Sequence, residues 1–367
     1  MIIKSLELAD FRNYDELKID FSSGTNILYG DNAQGKTNIL EAIFLCATTK
    51  SHKSSKDKEI IKFDKDEAHI RAIIDHDNAD YRLDMHLRKS KSKGIAIDGQ
   101  KIKKAADLIG RLNVVFFSPE DLSIIKNGPS ERRRFMDMEL CQLDQSYLYN
   151  LSRYNKIMVQ RNKLLKDMYE HPEYNVVLDV QNKQLVEYGK KIIEIREKFI
   201  SELNEIIGPI HSKLTGEKEK LSIYYEPNVK IEEYESKIAK AKDRDLFLKQ
   251  TSVGPHKDDF SFYVRSTDNN NDIDIRKFGS QGQQRTASLS LKLSEIEIVK
   301  RTKKENPVLL LDDVLSELDS NRQNYLLNTI GDIQTIITCT GLDEFVNNRF
   351  EIDKLFKVVN GTVTCEN

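Results

Sequence analysis

The stretch "TNILYGDNAQGKTNILEAIFLCA", residues 25–47, decides the fold. An apolar run leads into "GDNAQGKT", in which Gly30, Gly35, Lys36 and Thr37 match the phosphate-loop pattern G-x-x-x-x-G-K-[ST]. The residues that follow carry apolar side chains at helical spacing, so the strand, loop and helix that this pattern requires are all predicted. The stretch therefore predicts an α/β fold with a phosphate-binding loop at the start of a helix.

The residues of this loop suit the phosphates of a nucleotide. Backbone N–H groups would surround the phosphate oxygens, Lys36 would act in catalysis by neutralising the β and γ oxygens, and the Thr37 hydroxyl would ligate Mg²⁺. The dipole of the following helix also favours anions. The predicted nucleotide-binding residues are Gly30, Asp31, Asn32, Ala33, Gln34, Gly35, Lys36 and Thr37. A tight turn without a ligand is the alternative, which the complete motif disfavours.

A second motif, "PVLLLDDVLSELD" at residues 307–319, places two carboxylates after an apolar run. The run predicts a buried parallel strand, and ligands bind at the carboxyl end of such strands. Asp312 would hold Mg²⁺ directly or through water, and Asp313 would orient or deprotonate the attacking water. An acidic loop after a core strand is the alternative. Because a phosphate loop needs such a strand for its metal, the two motifs together predict binding and hydrolysis of a nucleoside triphosphate.

A third motif, "FGSQGQQRT" at residues 278–286, is a glycine turn before a predicted amphipathic helix. The chain already has a complete phosphate loop, so a second anion-binding turn indicates a half-site for another molecule. Ser280, Gly282 and Gln283 resemble the serine, last glycine and glutamine of the L-S-G-G-Q signature of ABC-type ATPases. In that family the signature caps the γ-phosphate of ATP on the opposite subunit. Residues 316–319 resemble the D-loop at the same interface, and a plain helix-capping turn is the alternative.

About 240 residues separate the phosphate loop from this turn, more than a compact nucleotide-binding domain needs, which indicates an insertion. The insertion contains two runs of apolar residues close to heptad spacing, and Pro172 lies between them. This pattern predicts two helices in an antiparallel hairpin or small bundle. The sequence thus divides into a first part of the ATPase lobe at 1–125, a helical insertion at 126–250, and the signature segment with the second part of the lobe at 251–367.

Over nearly its whole length the chain resembles the RecF family of bacterial recombination-repair ATPases. The matching stretches are "DFRNY" at 10–14, "GDNAQGKTNILEAI" at 30–43, "FFSPEDL" at 116–122, "NGPSERRRFMD" at 127–137, "VGPHKDD" at 253–259, the signature, and "LLLDDVLSELD" at 309–319. The resemblance implies an ABC-type P-loop ATPase head, similar to SMC heads but without their long coiled coil, with a largely helical second lobe. It also implies that Arg12 of "DFRNY" contacts the nucleotide.

The same resemblance implies a function. Such a protein forms a homodimer on ATP, hydrolyses ATP slowly as a switch on DNA binding, binds DNA at single-strand gaps, duplexes and junctions, and works with RecO and RecR to load RecA. The chain departs from the general ABC pattern in three places. Asp313 stands where many relatives have glutamate, and no glutamine marks the Q-loop, near whose place "FFSPEDL" lies. No switch histidine follows "QTIITCTG", which leaves Thr338 or Thr340 at that place.

Charge indicates how DNA would be bound. With 57 Lys and Arg against 59 Asp and Glu, the net charge is −2, so a polyanion must meet local basic patches. Three basic runs are candidates, although a solvated face or hairpin loop explains each one better when it is taken alone: residues 50–58, residues 88–104, and Arg132, Arg133 and Arg134. Contacts of this kind would read the DNA backbone and not its sequence. His256 and Lys257 would either sense phosphate at a lobe contact or form a turn.

The remaining features of the sequence bound its location and leave one functional alternative. No window approaches eighteen consecutive apolar residues, and the first residues carry charges where a signal peptide is apolar, so a cytoplasmic protein without membrane contact is expected. The alternative function is a phosphotransferase whose phosphate loop serves a small acceptor, with the helical insertion as its lid. The signature favours the ATP-switched DNA-binding protein, because a monomeric kinase needs no phosphate cap from a partner.

Overall fold

The structure is a computed structural model that describes residues 1–53, 56–77, 79–168, 173, 175–267, 269–342 and 351–366. The chain forms two compact units. Unit 1 combines Met1–Asp121 with Glu295–Asn367, and unit 2 is Leu122–Ser294. Within the described ranges, no helix has both the length and the apolar character needed to cross a lipid bilayer.

The helices and strands follow the chain in three groups. The first segment of unit 1 contains β1 Ile2–Phe11, β2 Tyr14–Asp20, β3 Thr25–Tyr29, α1 Lys36–Thr48, α2 Asp57–Ile60, β4 Glu67–His76, β5 Ala79–Arg88, β6 Gly94–Ile97, β7 Gln100–Lys101 and β8 Val114–Phe117. Unit 2 contains α3 Leu122–Lys126, α4 Pro129–Leu143, α5 Gln145–Asp167, α6 Asn175–Leu214, β9 Glu219–Glu226, α7 Tyr234–Lys240, α8 Lys242–Leu248, β10 Asp259–Ser266, β11 Asn269–Asp274, α9 Ile275–Phe278 and the first part of α10 Gln281–Lys303. The second segment of unit 1 contains the rest of α10, β12 Val308–Asp312, α11 Ser320–Ile330, β13 Thr335–Cys339, β14 Lys354–Val359 and β15 Thr362–Glu366.

Strands from both chain segments of unit 1 form one sheet, with strand order β15-β14-β3-β13-β12-β8. The strands from β14 to β8 run parallel, and β12 and β13 are buried along their whole length. Thr338 of β13 pairs with both Asp312 of β12 and Leu28 of β3. Because parallel strands end at the same edge, this register places the phosphate loop beside Asp312, and the predicted α/β fold is confirmed.

A second sheet of unit 1 is antiparallel, with strand order β2-β1-β4-β5-β6-β7. Its side chains alternate between the core and the outer face, as expected for a sheet with one solvated side. On β4, for example, Ala68 and Ile70 are buried, whereas Glu67, His69 and Arg71 are exposed. Apolar residues thus hold this sheet on one side only.

In unit 2, the long helices α5 and α6 pack side by side. Arg161 of α5 binds Asn182 of α6, and Tyr147 at the start of α5 binds Arg196 much farther along α6, so the two helices run antiparallel. The heptad residues of α6 are all buried: Leu178, Leu185, Ile192, Phe199 and Ile206. Of those on α5, Tyr147, Tyr154, Leu165 and Met168 are buried and Leu151 and Met158 are half-buried. Pro172, the predicted turn residue, lies outside the described residues.

Unit 2 is longer than the predicted insertion. It ends at Ser294 and so includes β10 and the glycine turn, which the sequence groups with the C-terminal segment. The physical reason is strand pairing, since β10 pairs with β9 from Asp259 opposite Glu226 to Ser266 opposite Glu219. A boundary at residue 250 would separate these two hydrogen-bonded strands. Sequence reasoning missed this because the three-stranded sheet β11-β10-β9 joins segments on both sides of that position.

Candidate phosphate-binding site

The loop between β3 and α1 has the backbone conformation that its glycines allow. Gly30 and Gly35 have φ angles of 150° and 114°, values that side-chain-bearing residues rarely adopt. A Cβ atom on Gly30 would lie 2.3 Å from the carbonyl oxygen of Val358, and one on Gly35 would lie 2.5 Å from the Asn13 side chain. Both glycines are therefore required by close contacts as well as by backbone angle.

Lys36 at the start of α1 folds back onto the loop. Its Nζ atom donates to the carbonyl oxygens of Gly30 at 2.5 Å and Asp31 at 2.8 Å. Burial lowers the pKa of Lys36, while the charges of Asp313 and Asp312 act in the opposite direction. The ammonium group thus lies inside the loop with two carboxylates nearby.

Thr37 and Asp312, predicted as the metal ligands, are in direct contact. The Thr37 hydroxyl donates to Asp312 Oδ1 at 2.7 Å, and the Thr338 hydroxyl donates to the same oxygen at 2.8 Å. A hydroxyl and a carboxylate side by side are hard oxygen ligands, and Mg²⁺ commonly takes only one or two protein ligands together with phosphates and water. The donor set present at this edge therefore fits Mg²⁺.

Asp313 follows Asp312 in a left-handed backbone conformation, with φ of 54°. Its N–H group lies 3.0 Å from Thr338 Oγ1 and 3.2 Å from the Thr338 carbonyl oxygen, and these contacts fix the turn. Burial raises the pKa of the Asp313 carboxyl, as does the charge of Asp312, and Lys36 opposes the shift. A carboxylate with a raised pKa is a stronger base than one exposed to water.

These groups line one pocket of about 250 Å³ with the phosphate loop at its wall. Its lining also includes Asn38 and Lys53. Lys53 belongs to a basic run that the sequence suggests for DNA contact, so its position at the phosphate pocket was not predicted. The sequence places Thr338 only at the position of the switch histidine, whereas the structure shows that it contacts both Asp312 and Asp313. Thr340 is exposed.

Residues of the "DFRNY" motif donate hydrogen bonds to the backbone of the phosphate loop. Asn13 Nδ2 donates to the carbonyl oxygen of Gln34 at 2.9 Å, and the buried Tyr14 hydroxyl donates to that of Gly35 at 3.1 Å. Asn38 Nδ2 in turn donates to Asn13 Oδ1 at 2.8 Å. The motif therefore fixes the loop conformation before any ligand binds. In the sequence, only the family resemblance points to this stretch, and its contacts with the loop are not predicted.

Arg12 of the same motif is not among the described residues that line the pocket. Its guanidinium makes two 2.8 Å bonds to the carboxylate of buried Glu41 and donates to the carbonyl oxygen of Glu59 at 2.8 Å. Burial would raise the pKa of Glu41, but hydrogen bonds from Arg12 and Ser51 outweigh it and hold that pKa below its usual value. Arg12 thus ties α1 to α2 in this structure.

The signature residues lie in unit 2, at the start of α10. Ser280 Oγ accepts from the N–H group of Gln283 at 3.2 Å, and Gln283 Oε1 accepts from the N–H group of Ser280 at 2.9 Å. This reciprocal pair is a capping box, as the helix-capping alternative expects. Ser280 and Gly282 are nevertheless exposed, and Gln283 is held by a 2.8 Å bond to Glu219. The turn therefore presents its serine and glycine to solvent in a fixed conformation.

The three basic runs differ in what they leave exposed. Arg132 is buried and makes bonds of 2.7 and 2.9 Å to Asp259, so the suggestion that it contacts DNA is wrong. Arg133 donates to the carbonyl oxygen of Asp258, and Arg134 is exposed. Of the run at 88–104, the exposed lysines are Lys89, Lys91, Lys101, Lys103 and Lys104. Residues 54–55 of the run at 50–58 lie outside the described residues.

The "VGPHKDD" segment forms a short helical turn at Pro255–Lys257 before β10, which favours the turn among its two interpretations. The His256 ring nitrogens lie 2.7 Å from the Tyr154 hydroxyl and 3.0 Å from the Thr251 carbonyl oxygen. Burial lowers the pKa of His256 to about 4, so the ring is neutral at pH 7. The segment thus packs the helical hairpin against the turn within unit 2.

Known proteins resemble this chain over its whole length. The family model for the RecF/RecN/SMC N terminal domain matches residues 2–364. The DNA replication and repair protein RecF of Agathobacter rectalis is 62% identical over 363 residues, covering 99% of each chain. A structure of the recombination mediator protein RecF-ATP in the RecFOR pathway has a TM-score of 0.90 at 35% identity, covering 100% of this chain and 99% of that one. The Smc head domain of Pyrococcus furiosus, at 16% identity and a TM-score of 0.57 over 99% and 95% of the two chains, shares the fold.

Proposed function

The chain belongs to the RecF family of DNA replication and repair proteins, and we propose that it is an ATP-dependent DNA-binding protein of recombinational repair and replication. The observation that supports this most is the meeting of Lys36, Thr37 and Asp312 at one sheet edge. The loop beside them accepts hydrogen bonds from Asn13 and Tyr14. Such an arrangement binds a nucleoside triphosphate. The related protein RecF-ATP identifies ATP as the nucleotide to test first.

On binding ATP, Lys36 would exchange the Gly30 and Asp31 carbonyl oxygens for β and γ phosphate oxygens, and Lys53 would add a second cation at the pocket. Thr37 and Asp312 would hold Mg²⁺, which neutralises the phosphate oxygens during hydrolysis. Asp313 would orient the attacking water and accept its proton, in a place set by Thr338. ATP turnover would be slow, and hydrolysis would act as a switch that ends DNA binding.

The exposed turn at Ser280 supports a homodimer formed on ATP. Ser280, Gly282 and Gln283 lie at the N-terminus of the 23-residue helix α10, where N–H groups and the helix dipole favour an anion. Each subunit would place this turn on the γ-phosphate bound by the other. A dimer would also join the exposed lysines of two chains into one surface that binds DNA backbones at gaps, duplexes and junctions. We propose that the protein works with RecO and RecR to load RecA. We also propose that it is located in the cytoplasm.

A DNA-binding titration with and without ATP tests this function directly. We expect tighter binding of gapped duplex, duplex and single strands with ATP than with ADP, together with a change from monomer to dimer in light scattering. A phosphotransferase with a helical lid would bind ATP and remain monomeric without any gain in DNA affinity. That second outcome would contradict the proposal.

Lys36→Met is expected to weaken ATP binding by at least about tenfold, equivalent to about 1.4 kcal/mol, and to abolish nucleotide-driven dimers. The reason is that Lys36 is the cation that reaches inside the loop, whereas Lys53 stands at the pocket edge and is exposed. Binding of a fluorescent ATP analogue measures the change, with the exposed Lys103→Met as the matched control. Wild-type affinity in Lys36→Met would show that the nucleotide binds elsewhere.

Thr338→Val is expected to lower ATP turnover about tenfold while ATP affinity changes little. Valine keeps the shape but removes the hydroxyl that bonds to both Asp312 and the Asp313 N–H group. Thr338→Ser retains that hydroxyl and should keep most of the activity. Steady-state kinetics should therefore show a lower kcat at similar KM for valine only. Equal loss in both variants would mean that side-chain packing, and not the hydroxyl, matters here.

A further inference from the structure

A cluster of three metal-ligating side chains lies on the antiparallel sheet of unit 1, at a groove that shares no described lining residue with the phosphate pocket. Glu67 and His69 are two residues apart on β4, so both point to the outer face, and His86 of β5 is the direct cross-strand partner of His69. Their potential ligand atoms all lie within 4.8 Å of one another. His86 Nε2 and Glu67 Oε2 are already 2.7 Å apart.

The neighbouring strands leave room around the two histidines. On β1 the residue paired with His69 is Ala9, and on β6 the residue paired with His86 is Gly94. The two imidazole rings therefore stand between an alanine and a glycine, the two smallest residues, and are stacked at 4.1 Å between centroids and 20° from parallel. Both histidines also line a groove of about 730 Å³ along this sheet. Space for an ion and its remaining ligands is thus present at the histidine pair.

Two arginines stand beside the cluster, and each donates to an acceptor outside it. Arg71, next to His69 on the same face, makes a 2.7 Å bond to Asp84 and a 3.3 Å bond to Glu7. Arg88, opposite Glu67, donates to the carbonyl oxygen of Ser92 at 2.8 Å. These cations are therefore held by other acceptors, and the Glu67 carboxylate contacts His86.

We propose that Glu67, His69 and His86 form a binding site for a divalent first-row transition metal ion, with Zn²⁺ the ion that the donor set favours. Two imidazole nitrogens and one carboxylate suit Zn²⁺, whereas Mg²⁺ prefers oxygen ligands alone. With zinc-ligand distances of about 2.0–2.2 Å, two ligands of a tetrahedral ion lie about 3.3–3.6 Å apart. Glu67 and His69 are exposed and His86 is half-buried, so the ligand atoms can approach this spacing by side-chain rotation. The ion would replace the proton between His86 and Glu67 and join β4 to β5, and its fourth position would face the groove.

Zinc titration of the metal-free full-length protein tests the proposal. A chromogenic indicator would report Zn²⁺ affinity after EDTA treatment, and the exposed Cys365 would first be alkylated so that its thiol does not bind the ion. We expect one equivalent of Zn²⁺ to bind, and His69→Gln, His86→Gln and Glu67→Gln each to weaken its affinity by about tenfold or more. Excess Mg²⁺ should not displace it. Visible absorption of bound Co²⁺ would report the coordination geometry.

His76→Gln is the matched control, because His76 lies on the same strand near Glu305 and away from the cluster. It should leave zinc affinity unchanged. The three cluster residues are on the outer face of the sheet, so their variants should keep the wild-type circular dichroism spectrum. The thermal midpoint should rise with Zn²⁺ in the wild type and in His76→Gln, and it should rise less in the three cluster variants. Zinc affinity that survives in the His69→Gln/His86→Gln double variant, or a wild type that binds no zinc, would overturn the proposal.

Discussion

Asp313→Asn is expected to leave ATP binding and ATP-bound dimers intact while lowering ATP turnover by about 10²-fold or more. The side chain lines the phosphate pocket, and its backbone is held by two contacts from its N–H group to Thr338. Asparagine has the same shape and also tolerates the left-handed conformation observed here. The substitution therefore removes the carboxylate that we propose as the base and changes little else.

The pH dependence of ATP turnover is a second test of the role proposed for Asp313. Because burial and the charge of Asp312 raise the pKa of Asp313, wild-type turnover should increase with pH through a midpoint above the ordinary pKa of an aspartate. This increase should disappear in Asp313→Asn. A profile that keeps its acidic limb in the variant would assign the base to another residue.

Stability serves as the control for this substitution. A carboxyl whose pKa is raised in the folded state stabilises the fold most at low pH, and that contribution is lost as pH rises through the raised pKa. At neutral pH the ionised Asp313 is therefore unfavourable, and Asp313→Asn should melt at the same temperature as wild type or higher. Asp332→Asn, an exposed position in the same unit, should change neither turnover nor melting.

The parts of the fold and site that depend on local patterns were predictable. The phosphate loop, the strand ending at Asp312 and the two helices of unit 2 each rest on a motif or repeat within a few tens of residues. Thr37 and Asp312 are 275 residues apart, yet the parallel-strand rule was enough to bring them together. The contact between these two side chains therefore follows from the motifs and the strand order, without knowledge of side-chain packing.

What could not be predicted depends on partners far away in the sequence. The sequence shows Arg132 as one of three consecutive arginines, a pattern typical of a surface. In the structure Arg132 is buried and forms an ion pair with Asp259, which lies 127 residues later. The support of the phosphate loop by Asn13 and Tyr14 requires the turn between β1 and β2 to lie against it. The cluster of Glu67, His69 and His86 exists only because of the register of β4 and β5, which no motif encodes.

Ser280→Arg is expected to leave ATP binding by the monomer intact and to abolish ATP-driven dimerisation. Lys36 and Thr37 are untouched by this change, whereas the exposed turn at Ser280 gains bulk and charge where the partner's γ-phosphate would lie. The structure adds a second effect, because Ser280 Oγ caps α10 through the Gln283 N–H group. Losing a cap costs about 0.5–2 kcal/mol, so arginine alone does not separate the two roles.

A pair of capping residues separates them. Asparagine and aspartate are both good N-caps, but only aspartate places a negative charge at the turn. If Ser280 contacts a phosphate, Ser280→Asp should fail to dimerise on ATP and Ser280→Asn should dimerise at least partly, while both melt like wild type. Sedimentation or light scattering with ATP measures this. Equal dimerisation of the two variants would mean that no phosphate approaches Ser280.

DNA binding then connects the turn to function. Because a dimer would present the exposed lysines of two chains together, phosphate contacts should roughly double, and with them the slope of log affinity against log salt concentration. Wild type should bind more tightly and with a steeper slope with ATP than without it, whereas Ser280→Arg should keep the shallow slope under both conditions. Ser236→Arg adds the same charge to an exposed position of unit 2 and should behave as wild type. A Ser280→Arg protein that binds ATP, stays monomeric and still gains DNA affinity would place the switch within one subunit and remove the basis for a role of this turn across the dimer.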